Sequence, residues 1–124
     1  KKNNTVVTRS KSKDKEQIIK RIEEWKTAWE AKDLDLYFDS YSEAFKYPNN
    51  MSQEQWENYR TDRIINKKNI SINTLNLKLK FKKDIIHAIF HQDYKSTGYQ
   101  QKSKKTLIFK FQSNDWKIIE EFSG

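Results

Sequence analysis

Near residue 70 the spacing of apolar residues changes from three-and-four to two, and it does not change back. Before that point the chain reads as helices. After it, the chain reads as antiparallel strands joined by turns of a few residues. Helices first and a strand meander second is an α+β order, because meandering strands pair with their neighbours and leave one face for the helices to cover. A chain of 124 residues is one such unit, with one core.

The spacing predicts three helices. Asp14 and Gln17 stand at N-cap and N3 spacing, ahead of a stripe formed by Ile18, Ile19, Ile22, Trp25, Ala28 and Trp29. Asp33 caps a shorter helix carrying Leu34, Tyr37, Phe38 and Tyr41. Ser52 and Gln55 fit a second capping box, with Met51 and Trp56 placed as a hydrophobic staple. On that third helix Trp56, Tyr59, Arg60, Arg63 and Ile64 share a face.

Four strands follow. In the first, Leu75, Leu77, Leu79 and Phe81 alternate with Asn76, Lys78, Lys80 and Lys82. Ile70 and Ile72 have the opposite parity, so a bulge is expected near Asn73 or Thr74. The second strand spans 85–96, the third 104–112 and the last 115–122. Residues 97–103 read as a loop around Gly98. Trp116, Ile118 and Glu120 are expected on one side of the last strand. Residues 1–13 are basic and non-periodic, and read as a flexible arm or linker before a domain at 14–124. The first 15 residues hold +5 of the net charge of +8, so the basic pI is largely a terminal property.

The order and the segments "WKTAWEAKDLDLYFDSYSEAF", "SQEQWENYR", "FHQDYKS", "KKTLIF" and "WKIIEE" resemble the NTF2-like superfamily over residues 14–122. Within it they look most like the C-terminal NTF2-like domain of YkuD-type L,D-transpeptidases and of the L,D-carboxypeptidases that set cell shape in helical bacteria. The resemblance implies a cone of three helices on a curved four-stranded antiparallel sheet, with a pocket inside. It also implies a periplasmic setting and peptidoglycan as the ligand. The chain has no cysteine, so the YkuD enzyme domain would lie elsewhere or this protein has none. A start at Lys1 with no hydrophobic signal segment reads as a piece of something longer.

In such a cone the strand "AIFHQDYKST" would face the pocket with Phe90, Gln92 and Tyr94. Aliphatic residues are the ordinary choice on a buried strand face, so a glutamine and a tyrosine there suit a polar ligand, or else satisfy backbone groups. Trp29, Tyr37, Tyr41, Trp56, Tyr59, Arg60, Arg63 and Glu120 complete the expected lining. An arginine beside aromatic rings can grip a carboxylate at two points. The plain alternative is an internal ion pair with Asp39, Glu43 or Glu120. Trp25 is expected in the core.

Other chemistries find less support. His87 and His91 share a strand face about 13 Å apart and cannot hold one metal ion. No phosphate loop is present, and no cofactor is expected. Lys78, Lys80 and Lys82, extended by Lys102, Lys104, Lys105 and Lys110, form a basic row that lacks the interleaved aromatics of a nucleic-acid platform, so no nucleic acid is expected. No apolar run is long enough to span a membrane. Enzymes of the superfamily need a base in an apolar pocket, for which Asp39 or Glu120, with Tyr37 or Tyr94 as acid, would be the candidates. The leading expectation is a non-catalytic binding domain that holds a peptidoglycan fragment, or another small polar ligand, for a linked or partner peptidase. The alternative is a scaffold whose outer sheet face, with Ile85, Ile89, Ile108 and Ile119, forms a homodimer or docks another domain.

Overall fold

In the computed structural model, which describes residues 10–124, helix α1 (Lys11–Ala31) starts one turn earlier than Asp14 predicts. Ser10 is the N-cap, its hydroxyl accepting from the Lys13 N–H at 3.2 Å. Ser and Asp cap about equally well, and the intervening lysines are good helix formers, so the earlier cap wins. Asp14 then lies buried in the first turn. Residues 1–9 of the expected arm lie outside the described residues, while residues 11–13 are helical. The stripe of α1 is buried except for Ile19, which is exposed. Lys32 ends the helix in the left-handed region (φ 59°), and Asp33 at once caps α2 (Leu34–Asp39) through the Leu36 N–H.

A short 3-10 turn, Pro48–Asn50, leads to α3 (Gln53–Ile65). Its capping box is complete: Ser52 accepts from the Gln55 N–H and Gln55 accepts from the Ser52 N–H. Then come β1 (Ser71–Lys82), β2 (Ile85–Ser96), β3 (Tyr99–Gln112) and β4 (Asp115–Ser123), an antiparallel sheet in sequential order. With two glycines in the chain, asparagine takes five of the eight non-glycine positive-φ positions among the described residues, including Asn69, Asn76 and Asn114.

Three departures from the expected sheet matter for the site. The β1 bulge falls at Asn76 and Leu77, opposite Phe90, and not at Asn73 or Thr74. It puts Leu75 on the outer face, 53 % exposed, and leaves Leu79 and Phe81 on the inner one. Strand β3 begins five residues early, at Tyr99. In β4 an extra residue, Ile119, interrupts the ladder between Ile118 and Glu120. A one-residue insertion reverses side-chain parity, so Glu121 turns inward and Glu120 outward.

The core sits between α1 and the inner sheet face. Ile18, Ile22 and Trp25 pack with Ile72, Ile86, Phe90, Leu107, Phe109, Trp116 and Ile118, all buried. The open edge of β4 is covered by the segment after α2. Ile118 N–H donates to Ser40 O at 2.9 Å, Ser42 N–H to Ile118 O at 2.8 Å, and Lys46 N–H to Ile119 O at 3.0 Å. This pairing brings Tyr41 beside the C-terminal half of β4.

Candidate functional site

A buried polar chain runs from α3 to β3 through the helix layer. Arg60 Nε donates to Tyr37 Oη at 3.0 Å, Tyr37 and Tyr41 hydroxyls are 3.1 Å apart, and Tyr41 Oη donates to Glu121 Oε1 at 2.7 Å. Lys105 Nζ closes it with a 2.7 Å bond to Glu121 Oε2, and Trp25 Nε1 donates to Tyr41 Oη at 3.0 Å. The ends fix the proton order. Arg60 and Lys105 can only donate and an ionised Glu121 can only accept, so Tyr37 donates to Tyr41 and Tyr41 to Glu121.

Burial opposes the Glu121 carboxylate, but the charges of Lys105 and Arg60 and the bonds from Lys105 and Tyr41 outweigh it and hold its pKa below the usual range. Burial, then the Glu121 charge, push the Tyr41 hydroxyl well up, and burial raises Tyr37. Burial works against the Arg60 charge, yet Tyr37, Tyr41 and Glu121 overcome it and keep the guanidinium firmly protonated. Arg60, Tyr37, Tyr41 and Glu121 are thus each pushed away from neutrality.

Both cationic ends of this chain border one cavity of about 390 Å³. Six of the expected residues line it: Trp29, Tyr59, Arg60, Arg63, Gln92 and Tyr94. The Arg60 guanidinium lies 5.0 Å from the Trp29 ring and 5.6 Å from Tyr37, and Arg63 lies 4.8 Å from Tyr59. Gln92 is 7 % exposed, and its side-chain oxygen has no hydrogen-bond partner among the described residues. Tyr94 packs between Trp29 (5.6 Å) and Tyr99 (6.0 Å). Among the described residues no acidic one lines the cavity, whereas Arg60, Arg63, Lys67 and Lys105 do. Neither arginine pairs with Asp39, Glu43 or Glu120. Asp39 and Glu120 instead pair with Lys117 and Lys46.

The other expected residues fall elsewhere. Tyr37 and Tyr41 are one layer behind the wall, in the polar chain. Phe90 is buried against Trp25. Trp56 sits in an aromatic cluster with Phe38, Tyr41, Phe45 and Tyr47. Glu120 faces out, and Asp39 is an exposed partner of Lys117, so neither stands as a base in an apolar pocket. Sequence reasoning missed Lys67, Tyr99, Gln101, Ser103, Lys105 and Glu121 at the site. Lys105 was detectable, because it shares the parity of Leu107 and Phe109 and so belongs inside. His87 and His91 lie on the outer face, as expected from their parity. No helix among the described residues is long and apolar enough to cross a membrane.

The family model for the Cds6 C-terminal NTF2-like domain matches residues 17–122. Among solved structures, Bd1075 of Bdellovibrio bacteriovorus superposes with a TM-score of 0.81 at 24 % identity, over 93 % of this chain and 42 % of that one. A mutant of the helical cell shape determining protein Pgp2 of Campylobacter jejuni gives 0.81 at 22 % identity, over 94 % and 43 %. The chain therefore spans less than half the length of these two proteins. A putative dehydratase of the NTF2-like family from Streptomyces avermitilis gives 0.80 at 14 %, over 92 % and 96 %. These likenesses show the NTF2-like fold. No curated protein matches the sequence.

Proposed function

We propose a binding role for this chain, which belongs to the Cds6 C-terminal NTF2-like domain family. The cavity holds a peptidoglycan fragment by its stem peptide and presents it to a linked or partner peptidase in the periplasm. The observation that carries this reading is the state of Arg60. Its Nε is anchored on Tyr37, its guanidinium lies over the Trp29 ring at 5.0 Å, and no carboxylate among the described residues forms an ion pair with it. A guanidinium fixed in this way is ready to take a ligand carboxylate through its remaining nitrogens. Arg63 and Lys67 add positive charge beside it. The Gln92 side-chain oxygen, unpartnered among the described residues, suits a peptide N–H, and the Trp29, Tyr94 and Tyr99 rings offer faces to apolar or sugar surfaces.

The proton positions favour binding over catalysis by this chain. A general acid–base site needs a group poised near neutral pH, whereas Glu121 is held low and Tyr37 and Tyr41 are held high. The gain from such a domain is local concentration of substrate at a neighbouring active site. The Pgp2 likeness, a protein that determines helical cell shape, is consistent with a role in the cell envelope.

A two-dimensional amide NMR titration with a defined muropeptide tests the reading. Shifts are expected at Gln92, Tyr94, Tyr99 and the Trp29 indole. Arg60→Ala is expected to weaken binding about 10- to 100-fold, the value of one or two charge-assisted hydrogen bonds. Arg60→Lys keeps the charge but not the fork, and should recover only part of it. Undiminished binding by Arg60→Ala, or shifts confined to the outer sheet face, would remove the proposal.

A further inference from the structure

The outer face of the sheet carries a patterned charge that the cavity does not use. Register places Lys82, Lys80 and Lys78 of β1 beside Ile85, His87 and Ile89 of β2. On the far side of β2, Lys110, Ile108, Thr106 and Lys104 of β3 stand beside Ile85, His87, Ile89 and His91. The result is a strip of Ile85, Ile89 and Ile108, walled by three lysines along β1 and bracketed by Lys110 and Lys104 at its two ends on β3. All five lysines are exposed, and none of their side-chain ammonium groups forms an ion pair or hydrogen bond with another described residue. The isoleucines sit lower: Ile85 and Ile89 are half-buried and Ile108 is 8 % exposed. The acids on this face are spoken for, Asp93 by Gln100 and Glu120 by Lys46.

Dimensions and charge select the partner. Strands β1 and β3 are two strand spacings apart, about 10 Å, which is the width of an α-helix with its side chains. From Ile85 to His91 is about 20 Å, or roughly 13 residues of helix. A second copy would set lysines against lysines, and like charges face to face repel. A membrane surface would be met by lysines before the recessed isoleucines could insert. A bare polyanion would leave the apolar strip uncovered.

We propose that this face docks an amphipathic α-helix of a partner protein, with its apolar stripe on Ile85, Ile89 and Ile108 and acidic residues along both flanks. The surface is independent of the cavity, so the two readings fail separately.

The test uses a 16-residue peptide held helical by a side-chain staple, with leucines on one face and glutamates on its flanks. Controls are the same composition scrambled to break the stripe, and vesicles of phosphatidylglycerol. Amide shifts with the striped peptide should cluster on residues 78–91 and 104–110 and leave Gln92, Tyr94 and Trp29 unmoved. Lys78→Glu with Lys104→Glu should weaken binding 10-fold or more, and Ile89→Asp likewise, with an otherwise unchanged amide spectrum. Lys20→Glu on the helix side should not. The proposal is overturned if the scrambled peptide binds as well, if vesicles bind and the peptide does not, if concentrating the chain produces the same shifts through self-association, or if no peptide shifts the outer face.

Discussion

Glu121→Leu is expected to destabilise the domain by about 3–5 kcal/mol, because it strands Lys105 as an unpaired cation in the interior. Lys105 is 6 % exposed, and the Glu121 side chain is 19 % exposed. Their 2.7 Å pair is therefore shielded from the screening that makes surface pairs weak. The substitution also leaves the Tyr41 hydroxyl without its acceptor. In thermal melts the loss corresponds to a fall of about 10–20 °C for a domain of this size. The double variant Glu121→Leu with Lys105→Met should recover much of it, since replacing a whole buried pair by apolar groups is often neutral. Glu120→Leu, one residue away, breaks only the pair with the exposed Lys46 and should cost less than about 1 kcal/mol.

The same carboxylate sets an acid limit. Its folded-state pKa lies below the unfolded value of about 4.3. Its contribution is therefore complete above that unfolded value and is lost as pH falls through the lower folded one. Tyr37 and Tyr41 act at the other end. Their folded pKa values are raised, so their contribution is complete below about 10 and is lost at more alkaline pH. Wild-type denaturation should accordingly steepen in acid below about pH 4, and Glu121→Leu should lack that component. An acid profile identical in the two proteins would contradict the assignment.

Trp25→Ala is the second large effect, at about 3–5 kcal/mol. Trp25 has no exposed surface and meets Trp29 (5.4 Å) and Phe90 (6.3 Å) edge to face. Its removal empties the space between α1 and β2 directly behind the cavity wall. It also deletes the indole donor to Tyr41. Trp25→Phe separates the two parts: the ring is partly kept and the hydrogen bond is lost, for about 1 kcal/mol plus a smaller cavity cost. Since whole-domain stability is of order 5–15 kcal/mol, Trp25→Ala should be read by urea denaturation at low temperature. A midpoint within error of wild type would show that α1 does not depend on this contact.

What the sequence made legible follows the strength of periodicity. The change to period two near residue 70, the caps at Asp33 and Ser52, and the inward parity of Phe90, Gln92 and Tyr94 all rest on regular patterns, and the structure carries each of them. The failures sit where regularity breaks. One inserted residue at Ile119 exchanged Glu120 for Glu121, and nothing local announces a bulge in a run of strand formers. The missed start of β3 has a different cause. Residues 99–103, "YQQKS", line the cavity or face solvent with polar groups, so the apolar alternation that marks a strand is missing where the candidate site is built.

The most direct test of the central claim compares two forms of one stem peptide by calorimetry, one with a free C-terminal carboxylate and one with that terminus amidated. The peptide differs only in the charge that Arg60 is held to receive. Amidation is expected to weaken binding at least 10-fold, and Arg60→Ala is expected to reduce that difference severalfold, to what Arg63 and Lys67 alone retain. Equal affinity of the wild-type protein for both, or binding of neither at millimolar concentration, would contradict it.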